Sequence, residues 1–284
     1  MARNKVNRII RKSVRNYERK IAIECKTNAK FFWKYINAKM KVKEKIYMLE
    51  THDGKKVDDD KEKAEVLNTY FSSVFVKEDN TGINDVKDDN KQNRDKTLEN
   101  MVITNTDVYN HLKSLKTNKA PGPDNLSAFF LKTFCEELAL PICKIFNKSL
   151  KESLVPIEWK VANVTAIFKK GKTSDPSNYR PVSLTSIVCK ILEAILKKEI
   201  MTFLEKNNIL SDDQYGFRSN RSCVTQLLTV VNDVTKYLDN GEGVDIVYFD
   251  FKKAFDTVPH SKLLYKIKEM GIKGPIYDWI KDFL

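Results

Sequence analysis

No stretch of this 284-residue chain reaches the roughly 18 consecutive apolar residues that a membrane span requires. The N-terminus is basic but has no apolar core behind it, so no secretory leader is expected. Five cysteines (Cys25, Cys135, Cys143, Cys189 and Cys223) are odd in number, scattered and never in CxxC spacing, which excludes a disulfide framework. Cys135 and Cys143 fall on an apolar helical stretch, where a buried free thiol is the ordinary state. The three histidines, His52, His111 and His260, lie too far apart to suggest a zinc site. No internal repeat and no heptad pattern is present. These absences leave an intracellular chain in a reducing setting, nuclear or cytoplasmic, with no membrane partner.

What is present is charge, unevenly spread. The net charge is +12, and residues 1–50 hold 15 Lys and Arg against 4 Asp and Glu. Residues 51–100 reverse the balance, with 9 basic against 13 acidic residues. A basic arm followed by an acidic patch points to a polyanionic partner, set against the plainer reading of a solvated helical surface.

The arm itself has helical spacing. Ile9, Ile10, Val14, Tyr17, Ile21 and Ile23 recur in steps of mostly three and four, which predicts a basic amphipathic helix over 7–30. A Phe31–Ile36 aromatic cluster follows; packing against the rest of the protein is favoured over base stacking. A hairpin is expected over 47–57, turning at Asp53-Gly54. Asp58–Asp60 is placed to cap a helix over 61–75, whose apolar face is Ala64, Leu67, Tyr70, Phe71 and Val74. Residues 77–100, rich in Asp, Asn and Lys, read as a flexible linker and the best domain boundary.

Beyond it, a helix is expected over 106–115, capped at Thr104 or Thr106. Pro121-Gly122-Pro123 makes a rigid turn. Apolar-faced helical sequence occupies 126–152, with Pro141 a candidate break. Strands are expected at 161–168 and 182–184, helices at 187–204 and 222–238, and a tight turn at 240–243. A strand over 245–251, a helix over 261–270 ending at Gly271, and the start of another over 275–284 complete the reading.

The tract Val247-Tyr-Phe-Asp-Phe-Lys-Lys-Ala-Phe-Asp256 concentrates the chemistry. A hydrophobic strand running into Asp250 suits an acid that holds a divalent ion beside a nucleotide. The backbone carbonyl of Phe251 supplies a second hard oxygen. Asp256 either supports that site or caps the following helix. Lys169, Lys170 and Arg180 bracket a loop after a strand, where cations can meet phosphates, although surface charge is the plainer reading. Gln214, Arg218 and Arg221 sit in a glycine-containing loop suited to nucleic-acid backbone. Phe255 either packs in a core or walls a sugar pocket beneath Asp250.

Five signatures in order make residues 101–284 resemble the reverse transcriptase domain of non-LTR retrotransposons of the jockey-like or LINE-like kind. These are Lys119-Ala-Pro-Gly-Pro-Asp124, Trp159 with Val161–Gly171, Asn178-Tyr-Arg-Pro-Val-Ser-Leu184, Gln214-Tyr-Gly-Phe-Arg218 with Arg221-Ser222, and Phe249-Asp-Phe-Lys-Lys-Ala-Phe-Asp256. The resemblance implies an α+β fold: the fingers of a right-hand polymerase over 101–240 and a partial palm over 241–284. A helical basic segment over 1–76, resembling the connector from an upstream endonuclease, and the linker 77–100 precede them.

The resemblance also implies roles. Asp250 and the Phe251 carbonyl would hold Mg²⁺ or Mn²⁺, and Lys169, Lys170 and Arg180 would face the dNTP triphosphate. Phe255 would gate the sugar, and Gln214, Arg218 and Arg221 would lie near an RNA template and DNA primer. The family's Pro-Gln-Gly element and adjacent aspartates do not follow His260; Glu269, Asp278 and Asp282 are the acids there. A reverse transcriptase fragment inactive by itself is therefore expected. The alternative is a retroelement-derived protein that binds nucleic acid without catalysis.

Overall fold

The computed structural model describes residues 2–25, 32–33, 35–36, 46–75, 96–251 and 253–284. The elements are α1 (Ala2–Glu24), β1 (Leu49–Glu50), β2 (Lys56–Val57), α2 (Asp60–Ser72), α3 (Asn105–Ser114), α4 (Ala128–Thr133), α5 (Cys135–Glu152), β3 (Asn163–Phe168), β4 (Tyr179–Leu184), α6 (Ile187–Lys206), α7 (Cys223–Asp239), α8 (His260–Glu269) and α9 (Gly274–Phe283). The chain is thus mixed helix and sheet. No helix among the described residues is long and apolar enough to cross a membrane. Two compact units are resolved: Met1–Leu67 with Lys170–Asn178, and Asn68–Lys169 with Tyr179–Leu284.

In the first unit, α1 starts earlier than the expected 7–30 and stops at Glu24, and most of residues 26–45 fall outside the described set. Tyr35 packs edge-on against Tyr17 of α1 at 5.9 Å between ring centroids, and its hydroxyl donates to Glu18. β1 and β2 pair antiparallel with Leu49 opposite Val57. Gly54 turns the hairpin at φ 78°, a left-handed angle that a side chain would oppose. Asp59 caps α2, its Oδ1 accepting from the backbone N–H of Lys61 and Glu62 at 3.0 and 3.1 Å. Ala64 is exposed, whereas Lys63 is buried. Lys63 Nζ donates to the Ile46 carbonyl at 3.1 Å and pairs with Asp60 at 2.8 Å. Its pKa is raised, first by the Asp60 hydrogen bond. No periodicity rule signals that inversion, because it depends on a carbonyl 17 residues away.

The second unit holds the main core. Val108 and Leu112 of α3, Phe146 and Leu150 of α5, Leu192 and Ile195 of α6, and Ile276 and Trp279 of α9 all lie within it. Each side chain of this size, fully buried, contributes about 1.5–3 kcal/mol from the area it removes from water. Phe146 meets Trp159 edge-on at 5.9 Å. α3 begins with a reciprocal cap: Thr104 accepts from Asp107 N–H, and Asp107 accepts from Thr104 N–H at 3.1 Å. The break between α4 and α5 comes at Phe134, not at Pro141. Pro141 is exposed inside α5, so the carbonyl it cannot serve is open to water. α9 is fastened at its middle and near its C-terminal end. Trp279 Nε1 donates to Ser149 Oγ at 2.9 Å, and Asp282 accepts from Val155 N–H at 2.7 Å and pairs with Lys160 at 2.8 Å.

Leu98 forms a parallel bridge with Ile272, donating to the Gly271 carbonyl at 2.9 Å and accepting from Lys273 N–H at 3.0 Å. Chain after residue 95 is thus held against the turn between α8 and α9. The expected strand over 245–251 is absent. Residues 242–251 take no regular structure and are almost wholly exposed. A strand exists only when a neighbour accepts its ladder, and no described residue pairs with this segment. α7 is equally open, with no buried residue along its length.

Candidate nucleotide and nucleic-acid site

Trp159 and the exposed strands after it build the first part of the site. β3 and β4 form an antiparallel hairpin in the register Asn163 opposite Leu184 through Phe168 opposite Tyr179. Arg180 stands opposite Ile167, so strand alternation places it on the face of Thr165 and Ile167; Lys169 is next in that alternation. Both side chains are exposed, and neither forms an ion pair among the described residues. Lys170, also exposed, opens the Lys170–Asn178 segment that belongs to the other unit. Tyr179 anchors β4: it is buried, packs edge-on against Phe168 at 5.5 Å, and burial raises its hydroxyl pKa.

Gly122 fixes where this hairpin ends. Its φ lies outside the left-handed region, so conformational freedom does not explain the residue. Space does. A Cβ there would lie 2.6 Å from Ser186 N and from both C and O of Thr185. The Pro-Gly-Pro turn is pressed backbone to backbone on the step from β4 into α6. Ser186 caps that helix, its Oγ accepting from Cys189 N–H at 3.4 Å. The sequence marked the turn; it could not show what the glycine touches.

The Gln214–Arg221 loop and the Asp250 tract meet through two aromatics. Phe217 and Phe255 sit edge-to-face, perpendicular, with centroids 6.3 Å apart, and both are more than three-quarters exposed. Phe217, Asn220 and Lys253 have φ of 63°, 59° and 53°. A bulky side chain in the left-handed region is uncommon, and such strain concentrates where a loop must present a group. Nothing in the residue types announces this pairing, because it joins loops 38 residues apart.

The arginines of the loop are turned inward. Arg218 Nη1 donates to the Ser211 carbonyl at 2.8 Å, and its Nε lies 4.0 Å from Glu205 of α6. Arg221 pairs with Asp212 at 3.1 Å and covers the Tyr215 ring at 4.9 Å. Tyr215 in turn hydrogen-bonds Thr229 of α7 at 2.8 Å. Gln214 is exposed, its amide reaching only the Gly216 carbonyl at 3.5 Å. The loop is therefore self-braced, and its outward side chains are Gln214, Phe217, Ser219 and Asn220.

Asp250 is exposed at the end of the unpaired segment, between the exposed rings of Phe249 and Phe251. Among the described residues no group of three or more His, Cys, Asp or Glu side chains gathers to hold an ion. Asp256 closes a turn, donating its N–H to the Lys253 carbonyl at 2.9 Å. It does not cap α8, which starts after Pro259 with no side-chain cap. Lys253 reaches the Tyr70 hydroxyl at 2.8 Å, a contact 183 residues apart in sequence.

Residues 167–284 match the family described as reverse transcriptase (RNA-dependent DNA polymerase). Over 179 residues the chain is 32% identical to the probable RNA-directed DNA polymerase from transposon BS of Drosophila melanogaster, covering 63% of this chain and 20% of that protein. It is 32% identical over 184 residues to the RNA-directed DNA polymerase from mobile element jockey of the same species, covering 64% and 20%. The probable RNA-directed DNA polymerase from transposon X-element is likewise 32% identical over 168 residues, covering 59% and 18%. The chain spans about a fifth of the length of these curated relatives.

Proposed function

We propose, from the match of residues 167–284 to the reverse transcriptase family, that this chain is the fingers and part of the palm of an RNA-directed DNA polymerase of the non-LTR retrotransposon kind. The ancestral reaction joins a dNTP to a primer 3′-hydroxyl on an RNA template. The observation that carries the reading is the meeting of Phe217 and Phe255, which sets the Gln214–Arg221 loop beside the Asp250 tract.

In this reading Lys169, Lys170 and Arg180 offer unpaired cations to the triphosphate. Phe255, exposed and braced by Phe217, walls the sugar. Gln214 faces the template or primer, while Arg218 and Arg221 hold the loop that presents it. Asp250 and the Phe251 carbonyl are hard oxygen donors of the kind Mg²⁺ takes alongside water and substrate phosphates. Bound there, the ion would neutralise charge developing on the phosphates. One carboxylate is a partial ligand set. The expected behaviour of this chain by itself is primer–template binding without extension.

The test is a primer-extension assay with an RNA template, DNA primer, Mg²⁺ and dNTPs, run beside an anisotropy titration of the same labelled duplex. Binding without extension is expected. Robust extension by the chain alone would overturn the proposed inactivity, and absence of any primer–template binding would overturn the polymerase reading.

A further inference from the structure

α1 carries its charge in a stripe that neither the polymerase reading nor the family match absorbs; the match begins at residue 167. At about 100° per residue, Arg8, Arg11, Lys12, Arg15 and Arg19 fall within one third of the helix circumference. All five are exposed, and none forms an ion pair among the described residues. Of the two acids of α1, Glu24 lies off the stripe and pairs with Lys20 at 3.8 Å, while Glu18 borders the stripe beside Arg11 and Arg15 and accepts from Tyr35. Val6, Ile10, Val14, Tyr17 and Ile21 occupy the opposite side, about 180° away. Ile21 is buried and Tyr17, about half exposed, meets the edge of Tyr35, so the far end of that side already engages this protein.

We propose that the Arg8–Arg19 stripe is a docking ridge for a nucleic-acid duplex, read through its phosphates. Eleven residue steps of helix extend the ridge over about 17 Å. A duplex presents about one phosphate per 1.7 Å of axis, so the ridge faces a dense matching field of opposite charge. Four of the five cations are arginines, whose planar fork pairs with phosphate in two bonds at once. An anionic membrane fits less well. A helix lying on lipid must bury its apolar side, and here the far end of that side is already engaged, Ile21 being buried and Tyr17 in contact with Tyr35. The ridge does not rest on the polymerase reading, since charge and geometry carry it alone.

The test uses the full chain. Anisotropy of a fluorescein-labelled 20-base-pair duplex is titrated over a range of salt. A ridge variant, R8Q/R11Q/R15Q/R19Q, is compared with a charge-matched control, K144Q/K148Q/K151Q/K197Q, whose four lysines are exposed on α5 and α6. Circular dichroism establishes that each variant keeps its helix content. Each lost phosphate contact removes about 0.9 from the slope of log affinity against log salt. The ridge variant is expected to bind at least tenfold more weakly, with a slope shallower by about 3–4, while the control follows the parent chain. Equal losses in both variants would show net charge alone at work and overturn the ridge. Unchanged duplex binding by the ridge variant, including the case where only its capture by phosphatidylserine vesicles falls, would overturn it as well.

Discussion

Replacing Gly122 with alanine tests whether the Pro-Gly-Pro turn is held in shape by contact. The new Cβ would sit 2.6 Å from three backbone atoms of Thr185 and Ser186. Those atoms cannot swing aside like the tip of a side chain. Ser186 starts α6, and Ile187, Val188 and Cys189 directly behind it are buried. Either the turn lifts or the first turn of α6 shifts into the core. Overpacking of this kind costs about 1–3 kcal/mol. Alanine also narrows the unfolded ensemble, which offsets about 0.4–1 kcal/mol. The net expectation is a loss of about 1–2 kcal/mol.

Gly216→Ala is the internal control. It has nothing within 4 Å of the added Cβ, and its φ is outside the left-handed region. That variant should be neutral or stabilised by up to about 1 kcal/mol. Urea unfolding followed by tryptophan fluorescence measures both, because Trp159 and Trp279 are buried in the core that α6 joins. Should Gly122→Ala match Gly216→Ala to within about 0.5 kcal/mol, the steric argument is refuted.

Two further outcomes concern α9. Ser149→Ala and Trp279→Phe each remove the bond from the indole to Ser149 Oγ, and each is expected to lose about 1 kcal/mol or more. The double variant should lose less than the sum, since the bond can be lost only once; additive losses in a double-mutant cycle would count against it. Asp282 has its pKa lowered, first by the Lys160 hydrogen bond and then by the Val155 N–H. Its contribution is therefore complete above its unfolded value near 3.8 and vanishes as pH falls through the lower folded value. Asp282→Asn should flatten the acid limb of the stability–pH curve below about pH 4; an unchanged acid limb would contradict the assignment.

Helices were the most legible elements. The candidate cap at Thr104 and the helical ranges expected at 106–115, 187–204 and 222–238 located α3, α6 and α7 to within a few residues. Local signals sufficed because helical hydrogen bonds close within four residues. The strand expected over 245–251 shows the converse. Its β-branched and aromatic run satisfies every local preference, yet pairing is a long-range event. The site was legible as a set of residue types and illegible as contacts. Phe217 against Phe255, Lys253 on Tyr70, and Gly122 against Thr185 all join distant parts of the chain. Lys63 failed the polar-outside rule because a carbonyl and two carboxylates were waiting for it.

α7 has a consequence for how the molecule breathes. It closes on its own devices. Ser222 and Thr225 cap its start. At its end, Gly241 N–H donates to Leu238 and Glu242 N–H to Tyr237. With no buried side chain, almost nothing but those caps and the Tyr215–Thr229 bond resists its opening. A lone helix of 17 residues is close to the length at which helix and coil balance in water. Its amides are thus set to exchange with solvent through local fraying. Those of α5 and α6, whose inner faces are fully packed, wait for the whole core to open. One chain therefore carries two clocks, and the faster one runs in the helix that follows the Gln214–Arg221 loop.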